Sequence, residues 1–317
     1  MTSVLVVLEQ DRGVLRRSAC ELLRVASQWP FEGQPAAVVL GTGAERAAQD
    51  STRKGVRQAY WLDEACAPMR WLRAVEAAAR ETGTQTVLFA DSSLGRDLAP
   101  RLALRTHAHF LPGVLSLDSL ESGVRLRRQV FGGRFFEEFK LSGNRNKVLT
   151  WRGGDVGGVS DRRDRHGEPV VRRLELAPES SDRLVLVEAS SGNEEDLTQA
   201  EIVVCGGRGV GSREGFKWVY TLAKALGGAP AASRAAVDAG FAPVELQVGQ
   251  SGKTVSPRFY FALGVSGSLQ HRAGMHTSQC VVAVNSDPAA PILSWADYGM
   301  VGDVAVVVPQ MIEALRR

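Results

Sequence analysis

The cysteines of this chain never fall into a C-x-x-C pair, and that absence removes zinc ribbons and iron–sulfur ligand runs at the outset. The four of them, Cys20, Cys66, Cys205 and Cys280, are scattered. Cys205 closes an apolar run and Cys280 opens another, so these two are expected as buried free thiols in a reducing cytosol. Long hydrophobic runs are missing too, since nothing approaches the roughly 18–20 apolar residues that a membrane span requires. The apolar run at residues 4–8 is too short for a signal-peptide core and has no basic leader. It reads as a buried strand, and the protein is expected to be cytoplasmic, with no membrane insertion. Charge of one sign is scarce, because 38 basic and 35 acidic residues leave a net charge of +3. Phosphate tracking needs concentrated positive charge, so nucleic acid is not an expected partner. The richest basic stretch, Asp161 to His166, alternates in sign and reads as a solvated loop. There is no internal repeat, no low-complexity tract and no G-x-S-x-G nucleophile elbow.

What is present is an alternation of strand and helix. The 317 residues, 44% hydrophobic and 23% charged, suffice for about two globular domains. Strands are predicted at 4–8, 36–40 and 87–90. A helix is predicted through Val14, Leu15, Ala19, Leu22, Leu23 and Ala26, and another, capped by residues 91–95, reaches about Arg105. Unbroken apolar strands between amphipathic helices mean a mostly parallel sheet covered on both faces, an α/β fold. From about 113 to 190 the pattern changes. Strands are predicted at 124–130, 135–141, 147–152 and 183–189, with turns at Gly132-Gly133 and Gly143-Asn144. No strong helix separates the strands from 124 to 152, so some antiparallel pairing is expected there. Residues 153–169 read as an exposed loop. The acidic stretch 190–196 is the predicted boundary between an amino-terminal domain, 1–190, and a second, 191–317. In the second domain the alternation restarts. Strands are predicted at 202–205, 259–265, 281–284 and 304–308, a helix runs through Phe216, Val219, Leu222, Ala223 and Leu226 to Gly227-Gly228, and a last helix starts near Pro309.

Three strands of the second domain run into turns rich in glycine or asparagine: Cys205 to Gly211, Gly264 to His271, and Val284 to Pro288. In an open parallel sheet such turns line the edge outside the carboxyl ends of the strands, where nucleotides bind. Glycine permits close backbone approach, and a following helix offers free N–H groups to a pyrophosphate. A strand-to-helix glycine can equally be only a tight turn. Gly207-Arg-Gly-Val-Gly211 does not satisfy G-x-G-x-x-G, which argues against the usual NAD fingerprint. Gly249 to Thr254 has the look of a P-loop, but Gln247 stands where that motif requires glycine, and Pro257 prevents a long helix from starting there. His107 and His109 lie two apart without a clear Cys or carboxylate partner, and a surface position is expected for both. No metal is expected. His271 is placed at the start of a helix after a glycine turn, where a ligand or a surface residue would both fit.

Four ordered motifs then resemble a known family. They are Ala232-Ser-Arg-Ala-Ala-Val-Asp-Ala-Gly240, Leu246-Gln-Val-Gly-Gln-Ser-Gly-Lys253, Gly264-Val-Ser-Gly-Ser-Leu-Gln-His-Arg-Ala-Gly-Met275 and Ala296-Asp-Tyr-Gly-Met-Val-Gly-Asp303. With their spacing they closely resemble the electron transfer flavoprotein alpha subunit. The amino-terminal domain fits through Ser92 to Arg101 and Phe131 to Arg134. The resemblance implies a heterodimer with a beta subunit that carries an AMP, and one FAD held mainly by the Rossmann-like carboxyl-terminal domain of this chain. Carried onto these residues, it puts Arg208 against the cofactor, Ser233 on the pyrophosphate and Arg234 near the flavin ring. Val248, Gly249, Gln250 and Ser251 would wrap the ring edge, with the Ser251 hydroxyl near N5. The run Ser266, Gly267, Ser268, Leu269, Gln270 and His271 would combine pyrophosphate contacts with His271 near the flavin O2. Asn285, Asp303 and Val304 would hold the adenosine end.

The implied roles have a physical basis. The first electron puts negative charge near N1 and O2, and a cationic or hydrogen-bond-donating His271, with Arg234 nearby, would stabilise it in a poorly hydrated site. Each such charge-assisted contact is worth about 1.5–3 kcal/mol. Ser251 stands where threonine is frequent in the family, and Arg272 follows His271 where an apolar residue is usual, bringing added charge. The implied function is electron carriage, without substrate turnover, from flavin dehydrogenases such as acyl-CoA dehydrogenases in fatty acid β-oxidation to a membrane quinone oxidoreductase. The alternative within the family is a bifurcating or nitrogen-fixation-linked version that oxidises NADH. A stand-alone nicotinamide dehydrogenase lacks its fingerprint here. A binding module without cofactor is disfavoured by the joint presence of Arg208, Ser233, Arg234, His271 and Asn285.

Overall fold

The computed structural model describes residues 2–29, 33–65, 67–120, 123–131, 135–141, 145–153, 168–177 and 197–315. They divide into two compact units, Met1–Ser190 and Ser191–Arg317. The predicted strand at 183–189, the acidic stretch 190–196, the two turns at 132–133 and 143–144, and most of the loop at 153–169 lie outside the described residues. So do Cys66, Arg134 and the run from Asp161 to His166.

In the first unit the chain runs β1 (Thr2–Leu8), a short ribbon of β2 (Gln10–Asp11) and β3 (Val14–Leu15), then α1 (Arg17–Ser27), β4 (Gln34–Leu40), α2 (Ala44–Arg53), β5 (Gln58–Leu62), α3 (Pro68–Thr82), β6 (Thr86–Ala90) and α4 (Ser93–Arg105). It continues with β7 (His109–Leu120), β8 (Gly123–Val130), β9 (Phe135–Leu141), β10 (Lys147–Trp151) and β11 (Val170–Arg173). Among the described residues these strands form one sheet in the order β11-β5-β4-β1-β6-β10-β7-β8-β9, apart from the β2–β3 ribbon. Helix α4 begins as the sequence predicts, with the Ser92 hydroxyl accepting from the Gly95 N–H. The antiparallel expectation holds for β7, β8 and β9. Strand β10, by contrast, lies parallel between β6 and β7. The composition of β10 explains this: all five of its residues are buried, the mark of a central strand covered on both faces. The outer strands alternate, and Arg127–Glu138 and Arg128–Glu137 pairs bridge β8 and β9.

One helix start also needs correction. Val14 and Leu15 belong to the ribbon β3, not to helix α1. Leu15 reaches the same apolar cluster as Ala19, Leu22 and Ala26, so its spacing continues that of the helix although its backbone does not.

The second unit runs β12 (Ile202–Gly206), α5 (Lys217–Leu226), β13 (Ala229–Ser233), α6 (Arg234–Asp238), β14 (Gln247–Val248), β15 (Phe259–Leu263), α7 (Leu269–Arg272), β16 (Cys280–Asn285), β17 (Tyr298–Val301) and α8 (Val304–Ala314). Its sheet is parallel throughout, in the order β14-β13-β12-β15-β16-β17. Residues 304–308, predicted as a strand, are instead the first turns of α8. Asp303 accepts from the Ala305 N–H as its N-cap, and Val304, Val307, Val308 and Ile312 are buried at helical spacing. A run of β-branched residues alone resembles a buried strand, and here the cap and the packing face overrule that propensity. Pro309 lies inside the helix and does not begin it.

The chain leaves β12 toward β13 and β14 on one side, then returns to build β15, β16 and β17 on the other. That reversal between β12 and β15 is a topological switch point, which opens a crevice at the carboxyl ends of the two strands. Apolar side chains pack on both faces, around Val204, Phe216 and Leu222 on one and around Val203, Tyr260 and Met275 on the other.

Candidate functional site

The two glycine turns at the switch point touch. The Gly207 N–H donates to the Leu263 carbonyl at 2.8 Å and the Gly209 N–H to the Gly264 carbonyl at 3.0 Å. A Cβ on Gly264, whose φ is +61°, would lie 2.6 Å from the Gly209 carbonyl carbon. Only glycine lets these backbones meet while holding a left-handed conformation. Arg208 stands exposed on the first turn.

Around this crevice the other sequence-predicted residues gather on the carboxyl edge of the same sheet. Ser233 ends β13 and caps α6, its hydroxyl accepting from the Ala236 N–H at 3.3 Å. Arg234 follows, with its side chain 72% exposed and a loose 3.5 Å pairing to Asp238. Val248 is buried at the end of β14, and Gln250 and Ser251 are exposed beyond it. The Ser251 hydroxyl accepts from Gln247 Nε2 at 3.0 Å, which keeps its own O–H free to donate outward. The Gln250 N–H donates to the Gln270 carbonyl at 2.8 Å, tying this turn to the one after β15. Gly274 permits the tie, since a Cβ there would sit 2.4 Å from the Gly249 nitrogen.

Ser266, Ser268, Leu269 and Gln270 are exposed on the turn after β15, and Gly267 is buried against Ile292. The first N–H groups of α7 have no partner within the helix and are the natural donors for an anion. Asn285 joins two loops: its Nδ2 donates to the Val265 carbonyl at 2.8 Å and its Oδ1 accepts from the Asp287 N–H at 3.0 Å. Its own carbonyl accepts from Gly302, directly before the Asp303 cap and the buried Val304.

His271 is the buried member. Its Nε2 lies 2.9 Å from the Tyr260 hydroxyl and 3.9 Å from Cys205 Sγ, while Nδ1 is buried with no hydrogen-bond partner. Burial pushes its pKa down to about 4, against a smaller opposing pull from the Val248 backbone. That direction favours the neutral ring at pH 7, so of the two expectations for His271, a cation or a hydrogen-bond donor, it supports the donor. Burial also pushes the Cys205 thiol up to about 12, so that cysteine is inert as a nucleophile. Cys280 is only partly buried, contrary to expectation. His107 and His109 are exposed, as expected. Arg272 lies with its guanidinium 5.1 Å from the Trp295 ring centroid.

Sequence reasoning missed Tyr260 as part of this edge, and gave Cys205 and Gly274 no role of their own within the motifs that contain them. Tyr260 sits inside a plain apolar strand, and only sheet register brings it under a residue eleven positions later. The first unit offers a contrast at its own carboxyl edge. There Asp91 is held by Arg96 at 3.0 Å and Arg152 at 2.7 Å, the Ser92 hydroxyl bonds Glu9, and Gln10 caps two carbonyls. There the polar side chains are paired with one another and with the backbone.

A buried ring nitrogen without a partner, glycine contacts that a Cβ would block, and serine-lined turns over helix starts are what a dinucleotide with a polar ring edge requires. Comparison with known proteins agrees. Residues 4–178 match the electron transfer flavoprotein domain, and residues 196–276 match the electron transfer flavoprotein FAD-binding domain. The chain is 41% identical over 323 aligned positions to the electron transfer flavoprotein subunit alpha of Mycobacterium tuberculosis, covering 100% of this chain and 99% of that one. It is 34% identical to the subunit of the same name from Thermoanaerobacterium thermosaccharolyticum, covering 98% and 97%. It is 35% identical to a Clostridium saccharobutylicum chain named Protein FixB, covering 98% and 95%. The chain therefore belongs to the electron transfer flavoprotein alpha subunit family, and its second unit carries that family's FAD-binding domain.

Proposed function

We propose that this chain is the alpha subunit of a heterodimeric, cytoplasmic electron carrier. It accepts electrons from flavin dehydrogenases such as acyl-CoA dehydrogenases and yields them to a membrane quinone oxidoreductase, turning over no substrate of its own. Its beta partner holds the AMP. FAD, when bound, supplies reversible transfer of single electrons. The observation that carries the reading is His271, neutral and buried, with one ring nitrogen unpartnered beside the Val248–Gly249 backbone.

The roles of the chain's own residues follow from what each offers. Ser233, Ser266, Gly267, Ser268, Leu269 and Gln270 present hydroxyl and backbone donors to the pyrophosphate. Arg208 and Arg234 bring positive charge over the exposed face. Val248, Gly249, Gln250 and Ser251 close along the ring edge, where the buried backbone excludes water. His271 offers a donor to the ring's acceptor side. Asn285, Asp303 and Val304 shape the adenosine end, chiefly by fixing the turns after β16 and β17. The 1–190 unit is proposed as the one that meets the beta subunit.

The test is stepwise reduction of the complex purified with its beta subunit, followed by visible absorption. One flavin per heterodimer, reduced in two resolved one-electron steps, is the expected result. A folded complex without flavin, or reduction in a single two-electron step, would overturn the proposal. A second reading, a bifurcating or nitrogen-fixation-linked alpha subunit serving NADH oxidation, has the likeness to the chain named FixB in its favour. Two spectroscopically distinct flavins in the same titration would select it.

A further inference from the structure

Beneath the carboxyl edge of the second sheet, His271 from α7 meets two buried side chains that the roles above leave unused, Cys205 from β12 and Tyr260 from β15. We propose that Tyr260 is a positioning residue, donating its hydroxyl hydrogen to His271 Nε2 and thereby fixing the imidazole as the neutral tautomer with its proton on Nδ1. This rests on the flavin-site reading and names the residue that orients its buried donor.

Three observations carry it. The Tyr260 hydroxyl lies 2.9 Å from Nε2, and both side chains are buried, at 0% and 5% exposure. A neutral imidazole has one donor and one acceptor nitrogen, and the bond made by one decides the role of the other. The alternative tautomer would have Nε2–H donate to Tyr260, whose own hydrogen would then go to the neighbouring Cys205, exchanging a strong nitrogen acceptor for a weak thiol sulfur. The alternative would also leave a bare Nδ1 lone pair beside the Val248 carbonyl, which already pulls toward protonation of the ring. Two lone pairs facing each other in a buried site repel. With the proton on Nδ1, the same contact is attractive.

The cluster also explains how the donor stays neutral. Among the described residues, the titratable groups facing the imidazole are Tyr260 and Cys205, and β14 contributes the Val248 backbone. Burial raises the pKa of both Tyr260 and Cys205, so each keeps its proton and neither can act as a base or counter-ion. If FAD is bound here, the chain would offer its ring a fixed N–H dipole, already set by the buried cluster.

The proposal is tested on the complex of this chain with its beta subunit, labelled with nitrogen-15 histidine, with the His271 signals assigned by their loss in His271→Gln. At pH 7 a pyrrole-type signal from Nδ1 and a pyridine-type signal from Nε2 are expected, unmoved between about pH 6 and 9. A proton on Nε2, or a doubly protonated ring, would overturn the proposal. In Tyr260→Phe the tautomers should mix, and the equilibrium constant for holding flavin after one electron should fall about five- to tenfold, the loss of a single hydrogen bond, with FAD retention nearly unchanged. Unchanged nitrogen signals and an unchanged one-electron fraction in that variant would also overturn it. A complex purified without flavin would refute the flavin-site reading separately, because the nitrogen signals still decide what Tyr260 does.

Discussion

Arg234 and His271 contribute to the same edge in different ways, and the difference is readable in their surroundings. Arg234 is largely exposed and its helix pair with Asp238 is of the kind worth well under 1 kcal/mol, so its guanidinium is free to follow a ligand. Arg234→Ala is expected to weaken FAD binding little. It should lower the equilibrium constant for holding flavin after one electron by at least about tenfold, the value of one charge-assisted contact. An unchanged one-electron signal in stepwise reduction would refute the assignment. His271 is locked by burial, and its folded pKa of about 4 lies below its ordinary 6.5. The unfolded chain therefore binds a proton that the folded chain does not, across the window between those values. Stability should fall as the pH drops from 6.5 toward 4, by at most about 3 kcal/mol. His271→Gln should flatten that part of the pH–stability curve in urea melts. Asp91 behaves in the opposite sense in one respect: burial raises its pKa, but Arg96 and Arg152 outweigh burial and the net shift is downward. Its contribution is complete above the ordinary carboxylate range and fades below it.

At the scale of elements, the second unit's turns carry more constraint than its strands. Gly264 combines a positive φ with a backbone neighbour at 2.6 Å from any added Cβ. Gly264→Ala is expected to cost about 1–3 kcal/mol and to lose FAD, because the β12 and β15 turns must separate. A variant with unchanged Tm and full flavin content would contradict this. The Asp303 cap of α8 is smaller in scale. Asp303→Ala should lower stability by about 1 kcal/mol, and Asp303→Asn should restore most of it; equal losses in both would show that capping is not its role. That helix also marks where sequence reading stops. Val304 to Val308 have the composition of a strand, and the chain alone does not say that Val304, Val307 and Val308 share one buried face. Lys147 to Trp151 shows the converse, since its unbroken burial as a central parallel strand was visible in its apolar residues but was masked by antiparallel neighbours. Leu15 was assigned to a helix for a third reason, that a ribbon and a helix can deliver side chains to one cluster at helical spacing.

At the scale of the whole molecule, the chain is expected to depend on its partner. As an alpha subunit it is predicted to purify poorly alone and to retain substoichiometric FAD, both corrected by co-expression with the beta subunit. Light scattering that shows a monodisperse, flavin-saturated monomer would refute this. The sequence by itself determined the α/β class, most of the strands and the carboxyl-edge turns, because these depend on local periodicity, on glycine and on capping residues that act within a few positions. It also determined the family, since four motifs in fixed order are a one-dimensional property. Only the tertiary structure decided that β12 and β15 flank the switch point, that their glycine turns touch, and that Tyr260 and Cys205 lie under His271. Those are consequences of sheet order and register, which bring together residues 66 positions apart, and no local pattern in the chain records them. The downward shift of the His271 pKa has the same origin, because it depends on how much water the packed edge excludes.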